Sequence, residues 1–358
     1  MSSLITADIH LTANPRDSYR LGLLPWMLEQ VRKNKIDVAL ILGDLTDSKD
    51  RHPSKLVNTL VHQLDALSRI CRVIVLKGNH DYIEPEHPFF GFVSLLRHVT
   101  FLSQPCELAL SITGASDNCL FLPSTEDWER DWTPYAKKLK TYDFVFCHQT
   151  FKGAARENGT VFDAGIPPTF FKGTKGKVYS GDIHVPQRFA NSYGPEYVGA
   201  PYRIDFGDSF TPRVLMLGPK GAKDLRFPCT NKHLVTLTNC TSADFGALGD
   251  VLLTQEIKPG DQVKVRAILK RSDFPLWPKL KKSIVKLAET RQWQLFGPEL
   301  RANPEEKDTH QRPIAASSMR YSPEEVLRAF AEEDLGDEFE YNEELVSVGT
   351  ALLKSVQT

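Results

Sequence analysis

Five short polar clusters carry the residue types that bind metal ions and handle protons. They are Asp8-Ile9-His10, Gly43-Asp44-Leu45-Thr46-Asp47, Gly78-Asn79-His80-Asp81, Cys147-His148-Gln149 and Gly181-Asp182-Ile183-His184. Each follows an apolar run that reads as a β-strand, and an α/β sheet presents its site at the C-terminal strand ends. Carboxylates, imidazoles and an amide oxygen suit manganese, iron or zinc better than calcium. Two such ions, about 3.5–4 Å apart, would activate a hydroxide and offset the charge of a phosphoryl transition state. The chemistry expected is two-metal phosphoester hydrolysis. One carboxylate must be shared, and Asp44, on a tight turn opened by Gly43, is the natural candidate. Asp8 and His10 are expected to reach one ion together, because alternate residues at a strand end point the same way.

Taken singly, most of these clusters are weak signals. A lone D-x-H or G-D at a strand end is usually a turn or cap, and a lone histidine such as His148 is more often a core residue. G-N-H-D is more specific, since an ordinary turn requires neither His80 nor Asp81. The ordered set of five is what points to a site.

The elements that must position these clusters alternate along the first half. Strands are expected at Ser3–Ala7, Asp37–Leu42, Arg72–Leu76, Leu120–Leu122, Asp143–Cys147, Lys177–Ser180 and Val214–Leu217. Helical spacing covers Tyr19–Lys33, with Pro25 marking a kink or fresh start, and Lys55–Ile70, with Leu56, Leu60, Leu64 and Leu67 on one face. This rhythm predicts a layered α/β domain over residues 1–225. A second strand–helix–strand module follows over 226–303, with strands at Gln262–Leu269 and Gln292–Phe296 and a helix at Trp277–Leu287. Residues 304–358 read as a linker and a helical segment whose start is signed by Ser322, Pro323 and Glu325.

The chain has 358 residues, of which 41% are hydrophobic and 25% charged, an ordinary globular balance that excludes collagen-like and disordered classes. Six scattered cysteines without a C-x-x-C pair argue against a disulfide framework or zinc knuckle and fit a reducing, cytoplasmic compartment. No signal peptide and no apolar run of membrane-spanning length is expected. The net charge of −1 argues weakly against a DNA-coating role, but the charge is unevenly spread. Glu256–Arg301 holds 11 Lys and Arg against 5 Asp and Glu, whereas Ala302–Thr358 holds 5 against 13. The basic stretch offers Lys264, Arg266, Lys270, Arg271, Lys279, Lys281, Lys282 and Lys286 to a polyanion such as DNA, although solvation of an exposed helix explains any one of them equally well.

Over about residues 4–210 the ordered motifs resemble the calcineurin-like metallophosphoesterase superfamily, whose pattern is D-x-H, G-D-x-x-D, G-N-H-D/E, an isolated H and G-H-x-H. The start Ala7-Asp8-Ile9-His10-Leu11, the stretch Tyr197-Val198-Gly199-Ala200-Pro201 with Phe206-Gly207-Asp208, and the small module that follows resemble the SbcD-type nuclease subunits of DNA double-strand-break repair, including short bacteriophage versions. The resemblance implies a layered β-sandwich flanked by helices, with an α+β capping domain and a C-terminal helical tail. It implies that Asp8, His10 and His184 hold one ion, that Asn79, His148 and Asp182 hold the other, and that Asp44 bridges. His80 would stand beside the scissile phosphate, with Asp81 orienting it from behind. Manganese is the expected metal, with magnesium or iron as substitutes. The expected partners are DNA, an SbcC-like coiled-coil ATPase gripped by the tail, and a second copy of the chain. The chain itself shows no phosphate-binding loop of the G-x-x-x-x-G-K-[ST] type.

One position departs from the pattern. Asp182 stands where the family has a ligand histidine, and a carboxylate there would favour manganese or magnesium over zinc. Two other functions remain open on this sequence. One is a small-molecule phosphatase or cyclic-nucleotide phosphodiesterase on the same scaffold. The other is a non-catalytic scaffold that binds an ATPase.

Overall fold

A computed structural model describes residues 2–156, 159–191, 193–238 and 257–303. The first four strands, β1 (Ser3–Thr6), β2 (Val38–Leu42), β3 (Arg72–Leu76) and β4 (Val99–Leu102), pair in parallel in that order. Their side chains are buried on both faces, which is why they read as unbroken apolar runs rather than as alternation. The second set is β5 (Cys106–Leu110), β6 (Asp117–Leu122), β7 (Phe144–His148), β8 (Lys177–Gly181), β9 (Gln187–Arg188) and β10 (Glu196–Tyr197). It forms a separate sheet in the order β5-β6-β7-β8-β10-β9. The chain then returns to the first sheet through β11 (Val214–Gly218) and β12 (Gly221–Leu225), giving the order β12-β11-β1-β2-β3-β4.

The two sheets pack face to face. Ile5, Leu40, Leu42 and Ile74 of the first meet Cys119, Phe121, Phe144 and Phe146 of the second. Helices α1 (Leu23–Asn34) and α2 (Ser54–Ser68) cover the outer face of the first sheet, with Met27, Val31, Leu60 and Leu64 against Leu4, Ile41 and Val73. A 3₁₀ turn over Pro15–Gly22 precedes α1, so Pro25 lies in the first turn of a fresh helix, where it breaks no hydrogen bond. The outer face of the second sheet is closed by Trp132 of the short helix α3 (Trp128–Trp132), with Phe151 and Phe171. This is the layered α/β domain that the strand–helix rhythm predicts, in the β-sandwich form with flanking helices that the family resemblance implies.

Beyond Leu225 a third sheet begins. β13 (Lys232–Thr238), β14 (Gln262–Leu269) and β15 (Gln294–Ala302) are all parallel, in that order. Helix α4 (Trp277–Thr290) joins β14 to β15 and lays Leu280 and Ile284 on the sheet beside Val265 and Leu269, with Ala288 also buried. The chain divides into one compact unit ending at Asn303 and a second over Pro304–Thr358. The expected linker and C-terminal helix lie outside the described residues. No helix among the described residues is long and apolar enough to cross a membrane. All five cysteines described are free.

Candidate metal centre

The five polar clusters lie at the C-terminal ends of β1, β2, β3, β7 and β8, with His148 the last residue of β7 and Gly181 the last of β8, and the facing of the two sheets brings them together. The backbone reason differs from the one the sequence suggests. β1 ends at Thr6, so Asp8 and His10 do not converge by strand alternation. Instead Asp8 (φ 52°), His10 (φ 35°), Asp44 (φ 56°) and Asp182 (φ 91°) all adopt left-handed backbone. Such conformations cost a non-glycine residue free energy and persist only where the surroundings over-determine them. Cross-loop hydrogen bonds do so here. Asp8 N–H donates to the Gly43 carbonyl at 3.2 Å, His10 N–H to the Asp44 carbonyl at 2.9 Å and Asp182 N–H to Asp8 Oδ1 at 2.9 Å. Gly43 is required by crowding as well as by its φ of 87°, because a Cβ there would lie 2.2 Å from His148 Nδ1.

Asp44 Oδ2 sits between two imidazoles, 3.5 Å from His10 Nε2 and 3.5 Å from His148 Nε2. On the His10 side, His10 Nε2 faces His184 Nε2 at 3.2 Å, and Asp8, His10 and Asp44 offer ligand atoms within 4.8 Å of one another. On the other side, His148 Nε2 lies 2.9 Å from Asn79 Oδ1 and 3.8 Å from Asp182 Oδ1. All seven residues proposed from the sequence as ligands are thus brought together, and Asp182 stands beside His148 with Thr150 Oγ1 donating to its other oxygen.

The donor set fits divalent cations. Two imidazole nitrogens facing each other at 3.2 Å need a proton or a cation between them. Asp8 Oδ2 is buried without a hydrogen-bond partner. Burial raises the Asp8 carboxyl to about 7 against the pull of His148 and His184. Burial also lowers His10 to about 3, outweighing the neighbouring Asp44. Burial works against charge on Asp44 too, but the imidazoles of His148, His10 and His80 hold its carboxyl below the ordinary range. His148 resists burial for the same reason in reverse. Asp44, Asp8 and Asp182 bring it to about 9. Asp182 is raised by burial. Without cations, carboxylates crowded this closely are balanced only by protons.

Asp81 does not orient His80. Its carboxylate is buried and accepts three backbone N–H groups, from Gly78 at 2.7 Å, Asp44 at 3.0 Å and Leu45 at 3.0 Å, which ties the turn after β3 to the turn after β2. The expected pairing fails because two loops with unpaired N–H groups compete for the same carboxylate, and a charged acceptor is worth most where it satisfies several buried donors. His80 is instead held by the Asp47 carbonyl, 2.7 Å from its Nδ1, with its ring edge-on to His10 at 4.8 Å. Asp47 has no role assigned from its sequence position. Its carboxylate lies 3.6 Å from His10 Nδ1, and His10, Asp47 and His80 form a second group with ligand spacing. The G-D-x-x-D spacing is the signal that marks it.

The basic residues of the third sheet divide into two sets. Lys264 and Arg266 on β14 face Glu299 of β15, at 2.5 Å and 3.5 Å. Lys270 and Arg271 are exposed in the turn before α4, and Lys279, Lys281, Lys282 and Lys286 are exposed on α4 itself.

A two-sheet sandwich with a carboxylate, imidazole and amide cluster at its strand ends is the arrangement that metal-dependent phosphoester hydrolysis calls for. Residues 1–186, just over half of the chain, match the Calcineurin-like phosphoesterase family, and the chain belongs to it. Members of this family use divalent metal ions. Among curated proteins, the SbcD component of the nuclease SbcCD of Escherichia coli strain K12 and its counterpart in E. coli O157:H7 are each 32% identical to this chain over 89 residues, or 23% of this chain and 22% of theirs. The chain therefore matches about a fifth of the length of these relatives. Among solved structures, GAP50, the anchor in the inner membrane complex of Plasmodium, overlays with a TM-score of 0.40 at 8% identity, covering 64% of this chain and 89% of its own.

Proposed function

We propose that this chain is the nuclease component of a DNA-end-processing complex, a manganese-dependent phosphodiesterase. The observation that carries the reading is the single Asp44 oxygen placed 3.5 Å from imidazoles of two different ligand groups, the arrangement a carboxylate bridging two ions requires. Asp8, His10 and His184 would hold one ion and Asn79, His148 and Asp182 the other. Bound there, the ions would supply a nucleophile at neutral pH and positive charge opposite the phosphate. The chain's own contribution is to hold the phosphate between these ligands and His80. With Nδ1 occupied by the Asp47 carbonyl, His80 has Nε2 left to hydrogen-bond a phosphate oxygen or protonate the leaving oxygen.

The DNA reading is supported by the exposed lysines of α4 and by the partial likeness to a nuclease component. In this reading residues 1–225 are the nuclease domain and 226–303 a capping domain on the duplex. Residues 304–358 bind an SbcC-like coiled-coil ATPase, and the assembly is a cytoplasmic dimer. The test is cleavage of end-labelled linear duplex DNA with manganese, with magnesium and after chelation. Manganese-dependent shortening is the expected result. Rapid hydrolysis of a chromogenic phosphate monoester, with DNA untouched under every condition, would replace this reading by a small-molecule phosphatase.

A further inference from the structure

His10 presents a left-handed backbone to the first ion, and something must hold it there. Its N–H is taken by Asp44. Its carbonyl is taken by Arg20, whose Nη1 donates at 2.8 Å while Nη2 donates to the Ile204 carbonyl at 3.1 Å. Arg20 comes from the 3₁₀ turn before α1 and is 3% exposed. Ile204 lies in the segment that runs from β10 to β11, and four residues earlier Ala200 N–H donates to the His184 carbonyl at 2.9 Å. One guanidinium therefore joins the loop that carries His10 to the β10–β11 segment, whose Ala200 N–H holds the carbonyl of His184, the imidazole that faces His10 at 3.2 Å. The planar fork of an arginine fixes the separation of two acceptors, whereas a lysine reaches only as a point charge.

The same fork is tied to the third sheet. Asp17 Oδ1 lies 3.6 Å from Arg20 Nη2 and 3.0 Å from Lys232 Nζ. Lys232, the first residue of β13, also donates to the Ile204 carbonyl at 2.8 Å. Gln262, the first residue of β14, donates to the Arg16 carbonyl in the turn that carries Arg20. Burying three charges this far is costly unless they are paired and hydrogen-bonded to fixed partners. The partners here are one another and two backbone carbonyls, that of the proposed ligand His10 and that of Ile204 in the β10–β11 segment.

We propose that Arg20 is a positioning residue for the first ion, and that Asp17 and Lys232 couple its grip to the seating of the β13–β15 sheet. The proposal rests on the two-metal reading. Calorimetric titration of the metal-stripped full-length chain with Mn²⁺ tests both, because the wild-type control reports whether two sites exist at all. A wild type without two sites overturns the two-metal reading and this proposal with it. Given two sites, Arg20→Lys is expected to weaken one of them by about tenfold or more and leave the other unchanged, the scale on which ligand-orienting groups act. Excess Mn²⁺ should then restore kcat with the KM for DNA unaltered. Lys232→Met is expected to weaken the same site by a smaller factor, and it carries the test if Arg20→Lys does not fold. The double variant should lose less than the product of the two factors, since both side chains share Asp17 and the Ile204 carbonyl. Wild-type Mn²⁺ affinity at both sites, even with a lowered melting temperature, would reduce Arg20 to a purely structural residue and overturn the proposal.

Discussion

Asp44 is where the chemistry is most exposed to a single atom. Its Oδ2 stands between His10 and His148, while its Oδ1 accepts the His80 N–H at 2.8 Å, so one carboxylate sets the spacing of both proposed ligand groups and of the turn that bears His80. Asp44→Ala is therefore expected to lower hydrolysis by at least about 10³-fold, equivalent to about 4 kcal/mol of transition-state stabilisation. Metal analysis should show fewer than two ions per chain. A variant that keeps more than a tenth of wild-type turnover would show that the bridging ligand is another residue. The residue types were legible in the sequence because each follows a strand directly and few other side chains bind such ions. Their backbone was not. Left-handed φ at Asp8, His10, Asp44 and Asp182 arises from hydrogen bonds between loops far apart in the chain, and local spacing carries no trace of them. Asp81 shows the same limit, since its three donors come from two separate turns.

At the scale of elements, the long apolar strands and α1, α2 and α4 were readable from periodicity. β9 and β10, with two residues each, are too short to have a period. β13 is hidden because it opens with buried Lys232, paired to Asp17, where a core strand would have an apolar residue. That sheet has its own electrostatic clasp. Asp261 is buried at the start of β14, accepting from His233 Nε2 at 2.9 Å, Asn231 N–H at 3.0 Å and Lys258 N–H at 3.1 Å. Burial alone would raise its carboxyl, but these donors hold it below the ordinary value of about 3.9. A carboxyl depressed in the folded state stabilises the fold above its unfolded pKa, and the benefit is lost as pH falls through the folded value. Asp261→Asn is thus expected to cost about 2 kcal/mol near neutral pH, with the difference from wild type shrinking below about pH 4. Denaturant unfolding across pH checks this, and a pH-independent difference would contradict it. Helix α4 carries a separate expectation. Leu280 and Ile284 face the sheet and Ala288 is buried, leaving Lys281, Lys282 and Lys286 exposed. Replacing these three by Glu should weaken duplex binding by at least about tenfold at moderate salt and lower the slope of log affinity against log salt by about 2–3. Hydrolysis of a small chromogenic diester should be unchanged. An unaltered salt slope would place the DNA path elsewhere.

At the scale of the whole molecule, the compact unit that ends at Asn303 finishes on a paired strand. β15 runs to Ala302, and Asn303 N–H donates to the Leu269 carbonyl at the far end of β14, completing the edge of the third sheet. Among the described residues, the sandwich core, the helices over it and the sheet behind α4 each have an apolar interior. The proposed metal ligands and the Arg20 fork also lie before Asn303. Cutting the chain after Asn303 removes 13 of the acidic residues and 5 of the basic ones that follow Arg301, so the remainder becomes net basic. A shortened chain is therefore expected to fold cooperatively, to bind Mn²⁺ with wild-type stoichiometry and to cleave short duplex ends. If the 304–358 segment grips an ATPase by an apolar helix face, the same chain should fail to co-purify with that partner while the full chain retains it. Calorimetry, metal analysis and a pull-down on the two lengths decide the matter. Loss of Mn²⁺ or of cooperative unfolding on truncation would mean that the segment completes the phosphoesterase core instead of serving a partner.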